Sequence, residues 1–450
     1  MRHAAKGRYM GQISRRDLLR SGAAVGLLGT ALGTAPRPAR AQALSGAVPE
    51  VDSVAVRVVT DSYHHAFEPT RKMGDLTVQR FAFALAKDRP PRKALQNEWG
   101  LALHLESRRG QDTRQLLIDF GYTPETLNNN LELLGIDPAR LDALVLSHGH
   151  YDHFGGMVGF LAQHKGRLKK ELPFYLGGEE CFCTREAGVG DAAGDFGTLD
   201  RQAIADAGLK VLYADRPSVI AGHAFSTGQI GQVSFERVLA PTRMKPGFAN
   251  GVGCRPEGLA ESKRNVAIIP DDFSHEQATC FNLKGKGLIV ITSCGHRGVV
   301  NSVRRAMTLS GIDKVHAVMG GFHLAPHQPE YLRQTVAELK AINPDWLIPM
   351  HCSGEAFIAV ALQEMADAEV CCGFGGMFCV KYPEISGKIV SEKTADVAAT
   401  GAGTLIAGDM GCLLNMAGRL TREGRDVAVR HVAEVLADMT DTPPIGAAKG

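Results

Sequence analysis

Ser147-His148-Gly149-His150-Tyr151-Asp152-His153 places three histidines and one aspartate within six residues. Imidazole and carboxylate together ligate borderline and hard divalent metals, zinc, iron and manganese among them. His148 and His150 can face one side of an extended turn, while Asp152 and His153 turn towards a neighbouring point, a spacing that suits two ions a few ångströms apart. The apolar run at 141–146 predicts a short buried strand before the cluster. Gly155-Gly156 opens a predicted helix over 157–170. The cluster is therefore expected on a loop at the C-terminal end of a strand, the edge at which α/β sheets bind ligands.

The pattern recurs. Ser147-His148, Cys294-Gly295-His296, Phe322-His323 and Met350-His351 each follow an apolar run. Four strand ends thus deliver histidine to what could be one sheet edge. Further strands are expected at 54–60, 100–106, 115–119 and 173–177. Thr279–Leu283 and Gly287–Thr292 read as a hairpin through Lys284-Gly285-Lys286. Strands at 315–319 and 346–350 alternate with helices at 299–310 and 331–341, which argues for an α/β layered domain. Thr123 ahead of Pro124 reads as the N-cap of a helix over 123–134. Residues 186–200 and 241–264 show no clear period and are expected as loops, the second shaping a substrate pocket.

The chain has 450 residues, 44% hydrophobic and 22% charged, as in soluble globular proteins. Ser14-Arg15-Arg16-Asp17-Leu18-Leu19-Arg20 resembles a twin-arginine export signal. A short apolar run and the cleavage options Ala39-Arg40-Ala41 or Ala41-Gln42-Ala43 follow. The expected division is a signal peptide over 1–43, a main domain over 44–368 and an extension over 369–450, with the mature protein in the periplasm. Residues 1–43 hold eight Lys/Arg and one Asp, so a whole-chain charge of +2 leaves the mature part near −5. Nothing in that balance resembles a nucleic-acid footprint, and no integral membrane segment is expected after signal cleavage. The sequence sets no oligomeric state.

Several segments together resemble the metallo-β-lactamase superfamily. Its His-x-His-x-Asp-His motif is matched by His148, His150, Asp152 and His153. More narrowly, the chain is similar to the branch named for 7,8-dihydropterin-6-yl-methyl-4-(β-D-ribofuranosyl)aminobenzene 5′-phosphate synthase. Asn97-Glu98-Trp99-Gly100-Leu101, Leu117-Ile118-Asp119-Phe120-Gly121, Ser293-Cys294-Gly295-His296-Arg297-Gly298, Gly320-Gly321-Phe322-His323-Leu324 and His351-Cys352-Ser353-Gly354-Glu355 carry that match. The resemblance implies an αββα sandwich with metals at one edge of two sheets. By position, His148 and His150 ligate a first metal; Asp152, His153 and His351 ligate a second. The family's bridging aspartate is replaced here by Ser293-Cys294-Gly295-His296, with His296 favoured for the role and Cys294 the alternative. His275 is a weaker candidate for the family's third histidine, against Asp272 or Glu276. His323 is a ligand or a substrate-phosphate donor, and Asp152 doubles as the acceptor that orients the nucleophile.

The expected cofactor is one or two zinc ions, with manganese or iron as alternatives. The expected chemistry is attack by a metal-activated hydroxide on an ester, phosphodiester, lactone or related small-molecule substrate. The tail differs. Cys371-Cys372-Gly373, Gly408-Asp409-Met410-Gly411-Cys412 and 429–436 resemble half of the cysteine-rich domain of heterodisulfide-reductase and lactate-utilisation proteins. Cys371, Cys372 and Cys412 are three of the four thiolates a cluster wants, so no iron–sulfur cluster is expected. A small α/β lobe is expected instead, with a helix at 388–400, a strand at 404–407 and a helix at 432–439. The alternative function is a redox or sulfur-handling protein pairing a di-iron site with that tail.

Overall fold

Two mixed sheets face each other through apolar side chains on their inner faces. The computed structural model describes residues 38–450 except 64–68, 82, 189–192, 240, 365–371, 373, 375–378, 380, 400, 438 and 447–450. The twin-arginine motif and Cys371 lie outside the described residues.

The first sheet runs Ala39–Arg40, Lys210–Tyr213, Pro173–Leu176, Ala143–Val145, Asp112–Ile118, Ala102–Arg109, Ser53–Thr60. The second runs Ser218–Ile220, Ala224–Ser226, Thr279–Leu283, Gly287–Thr292, Val315–Gly321, Trp346–Met350, with Glu50–Val51 beside Thr279–Leu283. Ala143–Val145 is buried at every residue and pairs in parallel on both sides. Its unbroken apolar run is what a strand covered on both faces requires. Leu101, Leu103, Leu105 and Ile118 of the first sheet pack with Phe281, Ile289, Ile291 and Met319 of the second. The outer face of the first sheet is covered by the helices Pro124–Leu133 and Met157–His164. That of the second is covered by Val299–Ser310, Pro329–Ile342 and Glu355–Glu364. The result is the expected αββα sandwich.

Local signals account for much of this. Thr123 caps its helix by accepting from Thr126 N, with Pro124 in the first turn. The hairpin and the strand Trp346–Met350 fall where the sequence places them. Two expectations need correction. The helix after Gly156 ends at His164 rather than 170. Residues 241–264 are not a loop: Thr242–Lys245, Gly247–Ala249 and Val252–Cys254 are strands, and Thr184–Ala187 pairs with Thr242–Lys245. Strands of three or four residues leave no period to read, and Thr242–Lys245 has its partner far back along the chain. A disulfide joins Cys183 to Cys254 across this lobe, a pairing that ten cysteines without regular spacing conceal.

Ala39–Arg40 pairs with Leu212 and Tyr213, and Ala41 N donates to Tyr213 O at 2.8 Å. Cleavage at either expected site would therefore remove an edge strand from the first sheet. In the tail, Pro383–Ala399 and Met410–Arg422 are helices, and Thr404–Ala407 pairs in parallel with Ala428–His431. The helix at Val432–Leu436 is shorter than expected. Among the described residues, no helix is long and apolar enough to cross a membrane.

Candidate metal centre

The histidine cluster occupies the turn after Ala143–Val145, and the turn Tyr151–Phe154 carries Asp152 and His153. Gly149 lies against the buried Arg185 guanidinium. A Cβ there would stand 2.5 Å from Arg185 Nη1, so only glycine fits between His148 and His150. The second sheet supplies the facing residues: Cys294 and His296 after Gly287–Thr292, His323 after Val315–Gly321, and His351 with Cys352 after Trp346–Met350.

Four non-glycine residues here adopt left-handed backbone: Asp119 (φ 58°), Phe273 (52°), His323 (47°) and His351 (47°). Each costs about 1–3 kcal/mol and persists where neighbours over-determine it. His351 N donates to Asp61 Oδ1 at 3.1 Å, and His323 N donates to Cys352 Sγ at 3.2 Å.

Two donor groupings result. His148, His150 and His296 each offer an atom within 4.8 Å of the others, and so do Asp152, His153 and His351. The groupings adjoin, with His148 and His153 ring centroids 4.2 Å apart. His148 Nε2, His153 Nε2, both His296 nitrogens and Asp152 Oδ1 are buried without a hydrogen-bond partner among the described residues. One such atom costs about 1–3 kcal/mol. Five of them, spread over the two adjoining groupings, fit the binding of divalent cations.

The opposite nitrogens are held by the protein. His148 Nδ1 meets Ser147 Oγ at 2.9 Å, His150 Nε2 meets Thr242 Oγ1 at 2.8 Å, and His153 Nδ1 meets Asp119 Oδ2 at 2.8 Å. Asp119 also accepts from Ser147 N at 2.8 Å and Ser147 Oγ at 2.7 Å. Such partners fix ring orientation and raise ligand basicity. Asp119→Asn is therefore expected to weaken divalent-metal affinity about 10–100-fold. Titration against a competing chelator measures this, and unchanged affinity would remove Asp119 from the account.

Burial holds His150 down to about 3 and His148 and His296 well below the ordinary imidazole range, which leaves the neutral, metal-binding form. Burial would also lower His153, but the Asp152 and Asp119 carboxylates outweigh it and hold the ring up at about 9. Burial opposes ionisation of Asp152; His153 and His351 overcome that and keep it a carboxylate.

The sequence expectations divide. His148, His150, Asp152, His153 and His351 come together. His296 does not stand in the bridging place: it groups with His148 and His150, and with Cys294 and His323, but not with Asp152. The backbone turn at Gly295 (φ 72°) carries it to that side. His275 joins no grouping. Its Nε2 accepts from Gly149 N at 3.1 Å and Arg185 Nη2 at 3.0 Å, so protein donors occupy it. Of its alternatives, Asp272 pairs with Lys263 at 2.7 Å. Glu276 accepts from His296 N at 2.9 Å and Arg297 N at 2.7 Å, and burial pushes it up to about 7. His323 lines a depression with His296, Arg237, His327 and Tyr331. Sequence reasoning gave no role to Asp119, Thr242 or Cys352. Asp119 and Cys352 left a signal, in the matching segments Leu117-Ile118-Asp119-Phe120-Gly121 and His351-Cys352-Ser353-Gly354-Glu355; Thr242 left none.

Comparison with known proteins agrees with this geometry. The metallo-β-lactamase superfamily model matches residues 109–172, and a cysteine-rich domain model matches residues 355–417. The second match begins ahead of the expected boundary at 369. A 7,8-dihydropterin-6-methyl-4-(β-D-ribofuranosyl)-aminobenzene-5′-phosphate synthase of Methanocaldococcus jannaschii is 27% identical over 264 residues, covering 57% of this chain and 82% of its own. Lactate utilization protein A of Shouchella clausii is 36% identical over 132 residues, 29% of this chain and 50% of that protein. The chain spans half or less of the length of the lactate utilization proteins it matches. Among solved structures, a metal-dependent hydrolase of the β-lactamase superfamily aligns with a TM-score of 0.48 at 19% identity, covering 68% of this chain and 90% of that one. The chain is thus similar to the metallo-β-lactamase superfamily in its main part and to a cysteine-rich domain towards its tail.

Proposed function

We propose that the chain is an exported two-metal hydrolase, with zinc as its metal, acting on a small ester, lactone or phosphodiester. The observation that carries this reading is the pair of adjoining donor groupings with unpartnered buried atoms. His148, His150 and His296 would hold one ion; Asp152, His153 and His351 the other. Bound metals of this kind supply Lewis acidity and lower the pKa of water from 15.7 towards neutrality.

The chain's own residues do the rest. Ser147, Thr242 and Asp119 fix the rings. Asp152 Oδ1, free of protein partners, can accept a proton from the attacking water. His323 stands beside His296, with ring centroids 4.0 Å apart, where it can donate to a substrate oxygen. Trp99 is 55% exposed and its ring lies 4.8 Å from that of His351, giving the substrate an apolar rim. The Cys183–Cys254 disulfide supports an oxidising compartment, as export by the twin-arginine route would provide.

The test is a substrate panel of esters, lactones and phosphodiesters on metal-stripped and zinc-reloaded full chain. At least one class is expected to be hydrolysed by the reloaded chain alone. Zinc-loaded protein inert towards all three would contradict the reading. Iron in the purified chain, with a visible charge-transfer band, would favour redox work with the cysteine tail.

A further inference from the structure

Trp99 borders the metal centre without being one of its donors. Its indole lies 4.8 Å from the His351 ring, tilted by 36°, and the residue is 55% exposed. An aromatic side chain has about 150–250 Å² to bury, so an uncovered indole forgoes stability that packing would give.

The loop that carries it is nevertheless fixed on both sides. Glu98 Oε1 accepts from Tyr122 N at 2.8 Å and Thr123 N at 3.1 Å, and Glu98 Oε2 accepts from Thr123 Oγ1 at 2.7 Å. Glu98 N donates to Asp61 O at 3.2 Å, and Asn97 Nδ2 donates to Ser62 O at 3.1 Å. After the tryptophan, Gly100 is pressed between Tyr122 and Asp152. A Cβ there would stand 2.6 Å from Tyr122 N and 2.8 Å from Asp152 O. Leu101 N donates to Asp152 O at 3.2 Å. The indole is thus held by the backbone that carries Asp152 and by Asp61, whose carboxylate accepts from His351 N. An exposed apolar ring, fixed in advance beside metal donors, is what a binding platform needs.

The surroundings set what it binds. Asp152, His153 and His351 offer their donor atoms side by side, and Asp152 and His153 are buried, so an occupant that covers the indole and also reaches them is a small ligand. Phe196, half-buried, meets the His150 ring edge-on at 5.5 Å, so each donor grouping has an aromatic ring at its border. A flat, rigid indole gains most from a flat partner, because ring pairs are worth more than the area they bury, whereas an aliphatic group gains area alone.

We propose that Trp99 is the stacking platform of a substrate subsite, and that the preferred substrate carries a planar aromatic or heteroaromatic ring close to the bond that is cleaved. The proposal rests on the metal-dependent hydrolase reading above and narrows its substrate class.

Benzylphosphonate and cyclohexylmethylphosphonate are the probes. Each offers the same metal-binding group and a six-membered ring, one flat and one puckered. The cyclohexyl ring is the more apolar, so burial alone would not favour the benzyl probe. Both are titrated onto the zinc-loaded full chain. The chain has two tryptophans, and Trp346, whose Nε1 donates to Asp75 Oδ1 at 3.4 Å, is replaced as Trp346→Phe so that emission reports Trp99 alone. Calorimetry on the chain with both tryptophans gives the affinities without that replacement. Benzylphosphonate is expected to bind about three- to tenfold more tightly and to change the Trp99 emission. Trp99→Leu should bring the two affinities together while zinc content stays that of the parent. Trp99→Phe should keep part of the preference, and serves if the leucine variant does not fold. Equal affinities in the parent chain, or a preference that survives Trp99→Leu, overturns the subsite and leaves the hydrolase reading standing. Zinc-loaded protein that binds neither phosphonate overturns that reading and the subsite with it.

Discussion

Replacing His148 and His150 together by alanine is expected to reduce metal-dependent hydrolysis by about a thousandfold or more. The change removes two of the three donors in one grouping, and the His148 Nε2 and His150 rings are replaced by methyl groups. Metal-derived charge stabilisation is worth several kcal/mol of barrier, and each 1.36 kcal/mol is tenfold in rate. Both side chains are buried, so a loss of fold must be separated from a loss of chemistry. The control is His164→Ala. That histidine is also buried, but it sits on the outer helix Met157–His164, where its Nε2 meets Asn128 Oδ1 at 3.0 Å. It should keep its activity. Wild-type rates in the double variant, under the same melting curve, would remove the cluster from the chemistry.

The second large effect concerns the lobe that walls the cluster. Cys183→Ala with Cys254→Ala is expected to lower stability by about 4 kcal/mol. The bridged residues are 71 apart in sequence, and closing a loop of that order removes entropy from the unfolded ensemble and raises its free energy by roughly this much. The consequence reaches the site. Arg185, next to Cys183 and its strand, is fully buried, pairs with Asp271 at 2.8 Å and donates to His275. Thr242, on the paired strand, holds His150. The double variant should therefore also bind metal more weakly than the parent at equal temperature. Denaturant midpoints measure the first effect; equal midpoints would show that the lobe does not depend on its crosslink.

What the sequence revealed follows the range of the interactions. The helix cap at Thr123, the hairpin at Lys284-Gly285-Lys286 and the apolar runs before His148, His296, His323 and His351 are set by near neighbours, and each is visible in a few residues. The alternation of those elements argues for an α/β layered domain, and the sandwich comes from the family resemblance. The groups that finish the site are placed by distant contacts. Thr242 reaches His150 from 92 positions away, Asp119 reaches His153 from 34, and Cys352 meets Cys294 across 58. His275 has the right type and the right neighbourhood, yet Gly149 and Arg185 claim its nitrogen, which no local pattern could disclose. His296 is favoured for the bridging place in the sequence, with Cys294 as the alternative, because the family resemblance puts the motif Ser293 to Gly298 there. The turn at Gly295 (φ 72°) brings it into the grouping with His148 and His150.

The central claim is that two adjoining donor sets hold two divalent ions. Metal analysis of the full chain, purified without added metal and normalised to protein, tests it most directly. The account predicts close to two equivalents of divalent metal per chain, chiefly zinc. It also predicts loss of one of them in the His148→Ala, His150→Ala variant, with the ion held by Asp152, His153 and His351 remaining. Metal-free wild-type protein that binds nothing on addition of zinc, or a double variant that keeps its full complement, would contradict it.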